Sequence, residues 1–246
     1  MDIYKVNLYG ELVRGGKLSE ALGVNQAGGQ TVAFVGAGGK TTAIYHLAEE
    51  LAAMGKRVII TTTTHMFLPP KYGVLEENEG RLLKMLDLYG IAVTGTPCGD
   101  GKMTEVSDSF YLRAKNRADY ILVEADGSKR LPIKVPGRNE PVLPFDTDLV
   151  VIVAGLTCLS RPLIEVCHRW ERAAEILGCQ LTHQIEPFDV AKLIKTGYCD
   201  TINLPYRILL NQCDNKEQRE DALEIVSCLE DKGDVLLSSM LGAEGR

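Results

Sequence analysis

The sequence predicts an α/β fold: a doubly wound, mostly parallel sheet in a three-layer sandwich. Continuously apolar runs at Val58-Ile59-Ile60, Tyr120–Val123 and Leu149–Val153 read as strands covered on both faces. Amphipathic stretches alternate with them, which is the order of a parallel sheet with crossover helices. Glycine-rich, hydroxyl-rich and acidic clusters follow several of these strands, at the sheet end where open α/β folds bind ligands.

The elements follow in order. Residues 1–29 read as an N-terminal leader, with Leu18, Ala21, Leu22 and Val24 spaced for a short helix and a turn at 26–30. A strand is expected at 31–35 and a helix at 40–55, carried by Ile44, Leu47, Leu51 and Ala52 and ended by Gly55-Lys56. A strand at 57–61 comes next, then a helix at 77–88 leading to a strand at 90–95, and a helix at 107–117 leading to a strand at 120–124. Pro132, Pro136, Pro141 and Pro144 make 127–146 a long irregular loop beside the active site. Strands at 149–153, 207–210 and 235–237 and helices at 170–177, 187–195 and 216–231 complete a single unit over 1–246.

Composition narrows the functional classes. The 246 residues carry a net charge of −6, which argues against a general nucleic-acid surface. No apolar run reaches the roughly 18 residues of a membrane span, and the N-terminus lacks a signal-peptide core. Seven cysteines, an odd number without a Cys-x-x-Cys pair, suggest reduced thiols and a cytoplasmic protein. Cys167 stands out because His168 follows it, but neighbouring side chains diverge on either regular element.

The most specific run is Gly36-Ala37-Gly38-Gly39-Lys40-Thr41-Thr42. Between a strand and a helix it has the layout of a phosphate-binding P-loop. Glycines let backbone amides approach phosphate oxygens, and the helix start adds positive partial charge. Lys40, expected on a surface loop, would meet β/γ-phosphates, Thr41 would bind Mg²⁺, and Thr42 would contact the α-phosphate. Phe34 occupies the place where the full G-x-x-x-x-G-K-[ST] pattern has its first glycine, so the loop should be shorter or differently wrapped. A dinucleotide fingerprint fits only Gly36 and Gly38, leaves Lys40-Thr41-Thr42 without a role, and would make the chain an NAD(P)-binding redox protein.

Three further clusters support phosphate chemistry. Thr61–Thr64 and His65 end a strand and should adjoin the glycine loop, where hydroxyls can orient a metal-bound water. Glu124-Ala125-Asp126-Gly127 ends another strand in the manner of a Walker B segment, with Glu124 and Asp126 as catalytic and metal-binding carboxylates sharing one face if the strand extends that far. The basic residues Lys129, Arg130, Lys134 and Arg138 follow and would grip a small anionic second substrate. Asn211-Gln212-Cys213-Asp214 is similar to the guanine-reading Asn-Lys-x-Asp of GTPases, with Gln212 in place of lysine and Ser238-Ser239 as a supporting loop. The preferred base, ATP or GTP, is left open.

Taken together, the chain resembles the selenium-dependent hydroxylase accessory protein (YqeC) family. The resemblance rests on Gly36–Thr42, Thr61–Thr64, Glu124–Gly127 with Leu131–Pro136, Glu140–Pro144, Gly155-Leu156, His168-Arg169, and Asn211 with Asp214. The acidic segment is also similar to that of SIMIBI-class metallochaperone GTPases. The resemblance implies a role in maturing selenium-dependent molybdenum hydroxylases, with a hydroxylase or its cofactor carrier as protein partner. The expected chemistry is Mg²⁺-dependent binding of a nucleoside triphosphate by Gly36, Ala37, Gly38, Gly39, Lys40, Thr41, Thr42, Asn211 and Asp214. Either hydrolysis or phosphoryl transfer follows, or nucleotide binding serves only as a chaperone's switch.

Overall fold

The computed structural model describes residues 1–7, 9–24, 29–229 and 235–239. The chain opens with strands β1 (Asp2–Val6) and β2 (Leu12–Arg14), helix α1 (Leu18–Leu22), β3 (Gln30–Gly36), α2 (Lys40–Ala53) and β4 (Val58–Thr62). Short strands β5 (Met66–Phe67) and β6 (Gly73–Val74) precede α3 (Glu79–Tyr89), β7 (Ile91–Thr94), β8 (Thr96–Gly99), β9 (Lys102–Thr104), α4 (Asp108–Lys115) and β10 (Tyr120–Glu124). Then come β11 (Ile133–Lys134), β12 (Leu149–Gly155), α5 (Leu163–Val166), β13 (Cys167–His168), α6 (Trp170–Leu177), α7 (Pro187–Ile194), β14 (Tyr206–Asn211), α8 (Lys216–Cys228) and β15 (Val235–Ser239).

Ten strands form one sheet in the order β2-β1-β15-β14-β12-β3-β10-β4-β7-β6. From β15 to β6 every pairing is parallel, while β1 and β2 add antiparallel at one edge. Alternation sends Val32 and Phe34 of β3 to a core shared with α1 and α2. Ala33 and Val35 face the opposite core, shared with α3, α4, α7 and α8. This is the doubly wound sandwich that the continuous apolar strands predict.

Two local findings differ from the sequence reading. The stretch expected as a leader contains β1 and β2; Ile3 is buried opposite Ser238 of β15, a partner far away in the chain. The turn at 26–30 lies mostly outside the described residues, as does the end of the helix expected at 216–231.

Strand order positions the site. After β3 and α2 the chain does not pair β4 with β3, because β10 inserts between them, with Glu124 in register with Phe34 on one side and Thr62 on the other. The acidic strand, rather than the threonine strand, therefore adjoins the glycine loop. On the other side of β3 lie β12 and β14. The loops at the carboxyl end of β3 thus open at a switch point of the sheet.

Candidate functional site

Only Ala37, Gly38 and Gly39 separate β3 from α2. Phe34 lies inside the strand, fully buried, which accounts for the shortened loop. Gly38 has φ +80°, and a Cβ there would lie 2.2 Å from the Gly155 nitrogen. At Gly39, φ is +113° and a Cβ would meet the Asn211 amide at 2.3 Å. Both positions require glycine because the loop is pressed against β12 and β14.

The first amides of this loop turn inward. Gly36 N–H donates to Asp126 Oδ2 (2.9 Å), Ala37 N–H to Val153 O (2.8 Å) and Gly38 N–H to Leu131 O (3.2 Å). Of the expected cradle, the part available to an anion is the start of α2. No side chain caps that helix, so its first-turn N–H groups have no intrahelical partner. Gly39, Lys40, Thr41 and Thr42 line a cavity of 1260 Å³.

Lys40 departs from expectation. It is 3% exposed; its Nζ donates to Gly36 O (2.6 Å) and lies 3.1 Å from Asp126 Oδ1. The lysine folds beneath the loop because a buried carboxylate waits there. Asp126, fully buried, also meets Lys134 Nζ (3.2 Å) and accepts from the Tyr198 hydroxyl (3.1 Å). Burial, then Asp126, hold the Tyr198 phenol well above its ordinary value, so it acts as a donor. Strand β10 ends at Glu124, and Asp126 lies beyond it and outside the cavity lining. The two carboxylates therefore do not share a face.

Glu124 does face the cavity, and its Oε2 accepts from Thr41 Oγ1 at 2.7 Å. Burial pushes its carboxyl above the ordinary range against the pull of Lys40 and the Thr41 hydroxyl. A hydroxyl and a carboxylate oxygen beside open amides form a hard-oxygen donor set of the kind Mg²⁺ takes, completed by phosphate and water. No group of three or more His, Cys, Asp or Glu able to hold a metal occurs among the described residues, so a full protein cage is absent there.

The threonine strand partly contributes. Thr62 Oγ1 donates to Glu124 O (2.8 Å) and Thr63 Oγ1 to Val142 O (2.6 Å), tying β4 to β10 and to the long loop. Thr63, Thr64 and His65 line the cavity.

Asn211 and Asp214 serve as braces. The buried Asn211 donates from Nδ2 to Gly38 O (2.8 Å) and accepts from Ser238 Oγ (2.8 Å), while Asp214 accepts from Ser239 Oγ (2.7 Å). Ser238 and Ser239 thus hold these two side chains by hydrogen bonds. Neither lines the cavity; Gln212 does, with φ +63° and its Oε1 accepting from Thr157 (2.6 Å).

The long loop contributes Glu140, quoted in the sequence resemblance but with no role assigned to it. Glu140 accepts from Arg169 through both oxygens (2.6 and 2.7 Å) and from Lys134 (2.7 Å). Burial opposes its ionisation, but these bonds outweigh burial and hold it down at about 2. Lys134 is fully enclosed and cannot grip a ligand, and Arg138 is exposed away from the cavity. His168 lines the cavity with Nδ1 3.2 Å from Gly127 O. A carbonyl only accepts, so Nδ1 carries the proton and Nε2 keeps its lone pair. Burial, then Lys134 and Arg169, lower its pKa. Cys167 points away into the core, where burial pushes its thiol up to about 12, so it is no reactive thiolate.

Comparison with known proteins agrees with the sequence resemblance. A family model described as YqeC protein matches residues 32–171, which include the glycine loop, Glu124, Asp126 and His168-Arg169 but not Asn211 or Asp214. An Escherichia coli (strain K12) protein described as "Uncharacterized protein YqeC" is 31% identical over 209 residues, covering 78% of this chain and 81% of that one. Among solved structures, an apo-form GTPase from Pyrococcus abyssi matches at TM-score 0.36 and 15% identity, covering 84% of this chain and 82% of that one. That likeness is too loose to assign anything to this chain.

Proposed function

The chain belongs to the YqeC family, and from that premise and the site's geometry we propose that it binds a nucleoside triphosphate with Mg²⁺ at the start of α2. The observation that carries the reading is the Thr41 Oγ1–Glu124 Oε2 contact of 2.7 Å beside the uncapped helix start, at the wall of a cavity of 1260 Å³. The α2 amides and helix dipole take phosphate oxygens. Thr41 and Glu124 hold the metal, which when bound offsets charge on the β/γ-phosphates. Lys40 exchanges the Gly36 carbonyl for a phosphate oxygen, a change of rotamer that leaves Asp126 still paired with Lys134. Asp126 in this reading anchors the loop rather than touching the metal.

Family membership supports a place in maturing selenium-dependent molybdenum hydroxylases. A molybdenum hydroxylase or its cofactor carrier is the protein partner in that reading, and a small anionic molecule is the second substrate. The inward-turned amides and buried Lys40 also favour a nucleotide-driven switch over a permanently open enzyme site, because an occupied site would need a different arrangement of Lys40. Asn211 acts on the nucleotide through the loop it braces and Asp214 is held by Ser239 outside the cavity lining, so the base is read weakly.

Calorimetric titration of ATP and GTP, with and without Mg²⁺, tests the proposal. Wild-type protein should bind a triphosphate more tightly with Mg²⁺, and Thr41→Val should lose that enhancement while keeping its fold. Equal affinity with and without the metal in both proteins would refute the assignment.

A further inference from the structure

The cavity is also lined by β5 and β9, which with β8 form a small antiparallel sheet in the order β5-β9-β8, and by the turn 128–131, tied to the glycine loop through Gly38 N–H to Leu131 O. Lys102, Lys129 and Arg130 reach this wall, and none has a carboxylate partner among the described residues. The glutamates lining the same cavity are engaged elsewhere: Glu124 with Thr41, Glu140 with Arg169 and Lys134, and Glu105 with the Thr104 hydroxyl. Three unpaired cations converge on one hollow in a chain of net charge −6. Such a focus of one sign concentrates anions.

The cations are also arranged. The Arg130 guanidinium lies 4.1 Å from the Phe67 ring centroid, and Lys102 Nζ is 5.7 Å from the same centroid. Phe67 is 47% exposed, on a strand. Stacking fixes the guanidinium plane and leaves its N–H edges available for a bidentate anion. Lys129 and Arg130 both take left-handed backbone, at φ +51° and +63°. Consecutive non-glycine residues in that region are costly, about 1–3 kcal/mol each, and such strain clusters where ligands are held. The cavity volume of 1260 Å³ exceeds the roughly 300–1,000 Å³ of a site for one small molecule.

We propose that Arg130, Lys102 and Lys129, positioned by Phe67, form a second subsite that binds a small organic anion, a carboxylate or a phosphate monoester, in the same cavity as the nucleotide. The subsite deepens the nucleotide-binding proposal and rests on it for the identity of the ligand at the α2 start. The exposed face of β5 and the turn 128–131 make it accessible without displacing the loop that holds Lys40.

The test uses full-length protein, alone and saturated with Mg²⁺ and a non-hydrolysable triphosphate. Inorganic phosphate and citrate are titrated separately by calorimetry to distinguish phosphate from carboxylate recognition. Wild type should bind one of them, and Arg130→Gln should weaken it about tenfold or more. Phe67→Ala should weaken it less, and Lys84→Gln, a matched charge loss on α3, should leave it unchanged. Triphosphate affinity should stay within about twofold in all variants. Two results overturn the subsite: no binding of either probe by wild type, or anion and triphosphate affinities falling together in Arg130→Gln, which would give the cations to the nucleotide. Probe binding to a protein that takes no triphosphate would refute the nucleotide reading while leaving the anion subsite standing.

Discussion

The two walls of the cavity differ in how their charges are settled. Beneath the glycine loop, Lys40, Lys134, Asp126, Tyr198 and Gly36 form a closed network in which each charged group has a partner. On the lining formed by β5, β9 and the turn 128–131, Lys102, Lys129 and Arg130 have none among the described residues. The first wall is dry, so an unpaired charge there would cost several kcal/mol and folding cannot leave one. The second is wet, so water supports its cations until a ligand replaces it. Charge placed by folding and charge kept for a ligand can thus be distinguished by burial and partners.

The largest effect should come from breaking the closed wall. Asp126→Asn leaves Lys40 and Lys134 buried against a neutral amide. It should cost about 3–5 kcal/mol, a fall of roughly 10 °C in Tm by thermal melting for a chain of this size. An unchanged Tm would show that the network does not hold the loop. Gly38→Ala should follow, at about 2 kcal/mol or more, since the added Cβ meets Gly155 backbone and the residue must keep φ +80°. Because Lys40 is buried on Asp126, Lys40→Ala should lower stability as well as triphosphate affinity, contrary to what a surface loop would give. Comparing urea unfolding with binding in that variant separates the two losses.

How much of this was legible follows from range along the chain. The strand expected at 120–124 and the helices expected at 170–177 and 187–195, the last ending at Ile194, were readable because apolar spacing within a few residues decides them. Thr41 and Glu124 were readable because glycine, lysine, threonine and carboxylate at strand ends form a local chemical pattern. The sequence was silent where a partner is distant. Tyr198 reaches Asp126 across 72 positions, and nothing local in Gly197-Tyr198-Cys199 marks that hydrogen bond. The basic run after Gly127 looked uniform, yet folding buries Lys134, exposes Arg138 outside the cavity, and leaves Lys129 and Arg130 on its wall. Edge strands β1 and β2 were missed for the same reason, since their pairing is with β15.

A smaller effect concerns acid. Glu140 is held at about 2 against an ordinary value near 4.5, so its contribution to stability is fully present above the unfolded value and is lost as pH falls through about 2. Arg169→Gln removes its bidentate partner and should shift the midpoint of acid unfolding to higher pH; the loss, about 1 kcal/mol, is greatest at neutral pH, where Glu140 is ionised, and fades as the carboxyl protonates. A midpoint that stays put would locate the acid-sensitive group elsewhere. Glu124 works in the opposite direction. Its folded value is raised chiefly by burial, so its charged form opposes folding and the protein gains stability as pH falls through that raised value.

The smallest expected change in stability is the most discriminating. Lys129→Gln should alter unfolding free energy by no more than about 0.5 kcal/mol, and Arg130→Gln, which also loses the contact with Phe67, by no more than about 1 kcal/mol. Glu124→Gln should raise it slightly, because the variant removes a buried charge and keeps a group that can accept from Thr41. If the open wall were structural, the Arg130 and Lys129 variants would behave like Asp126→Asn, and urea unfolding would show it directly. If instead stability holds and anion affinity alone falls, those side chains are held at a cost in backbone strain that folding does not repay. A ligand then remains as the physical reason for two left-handed basic residues to line the cavity.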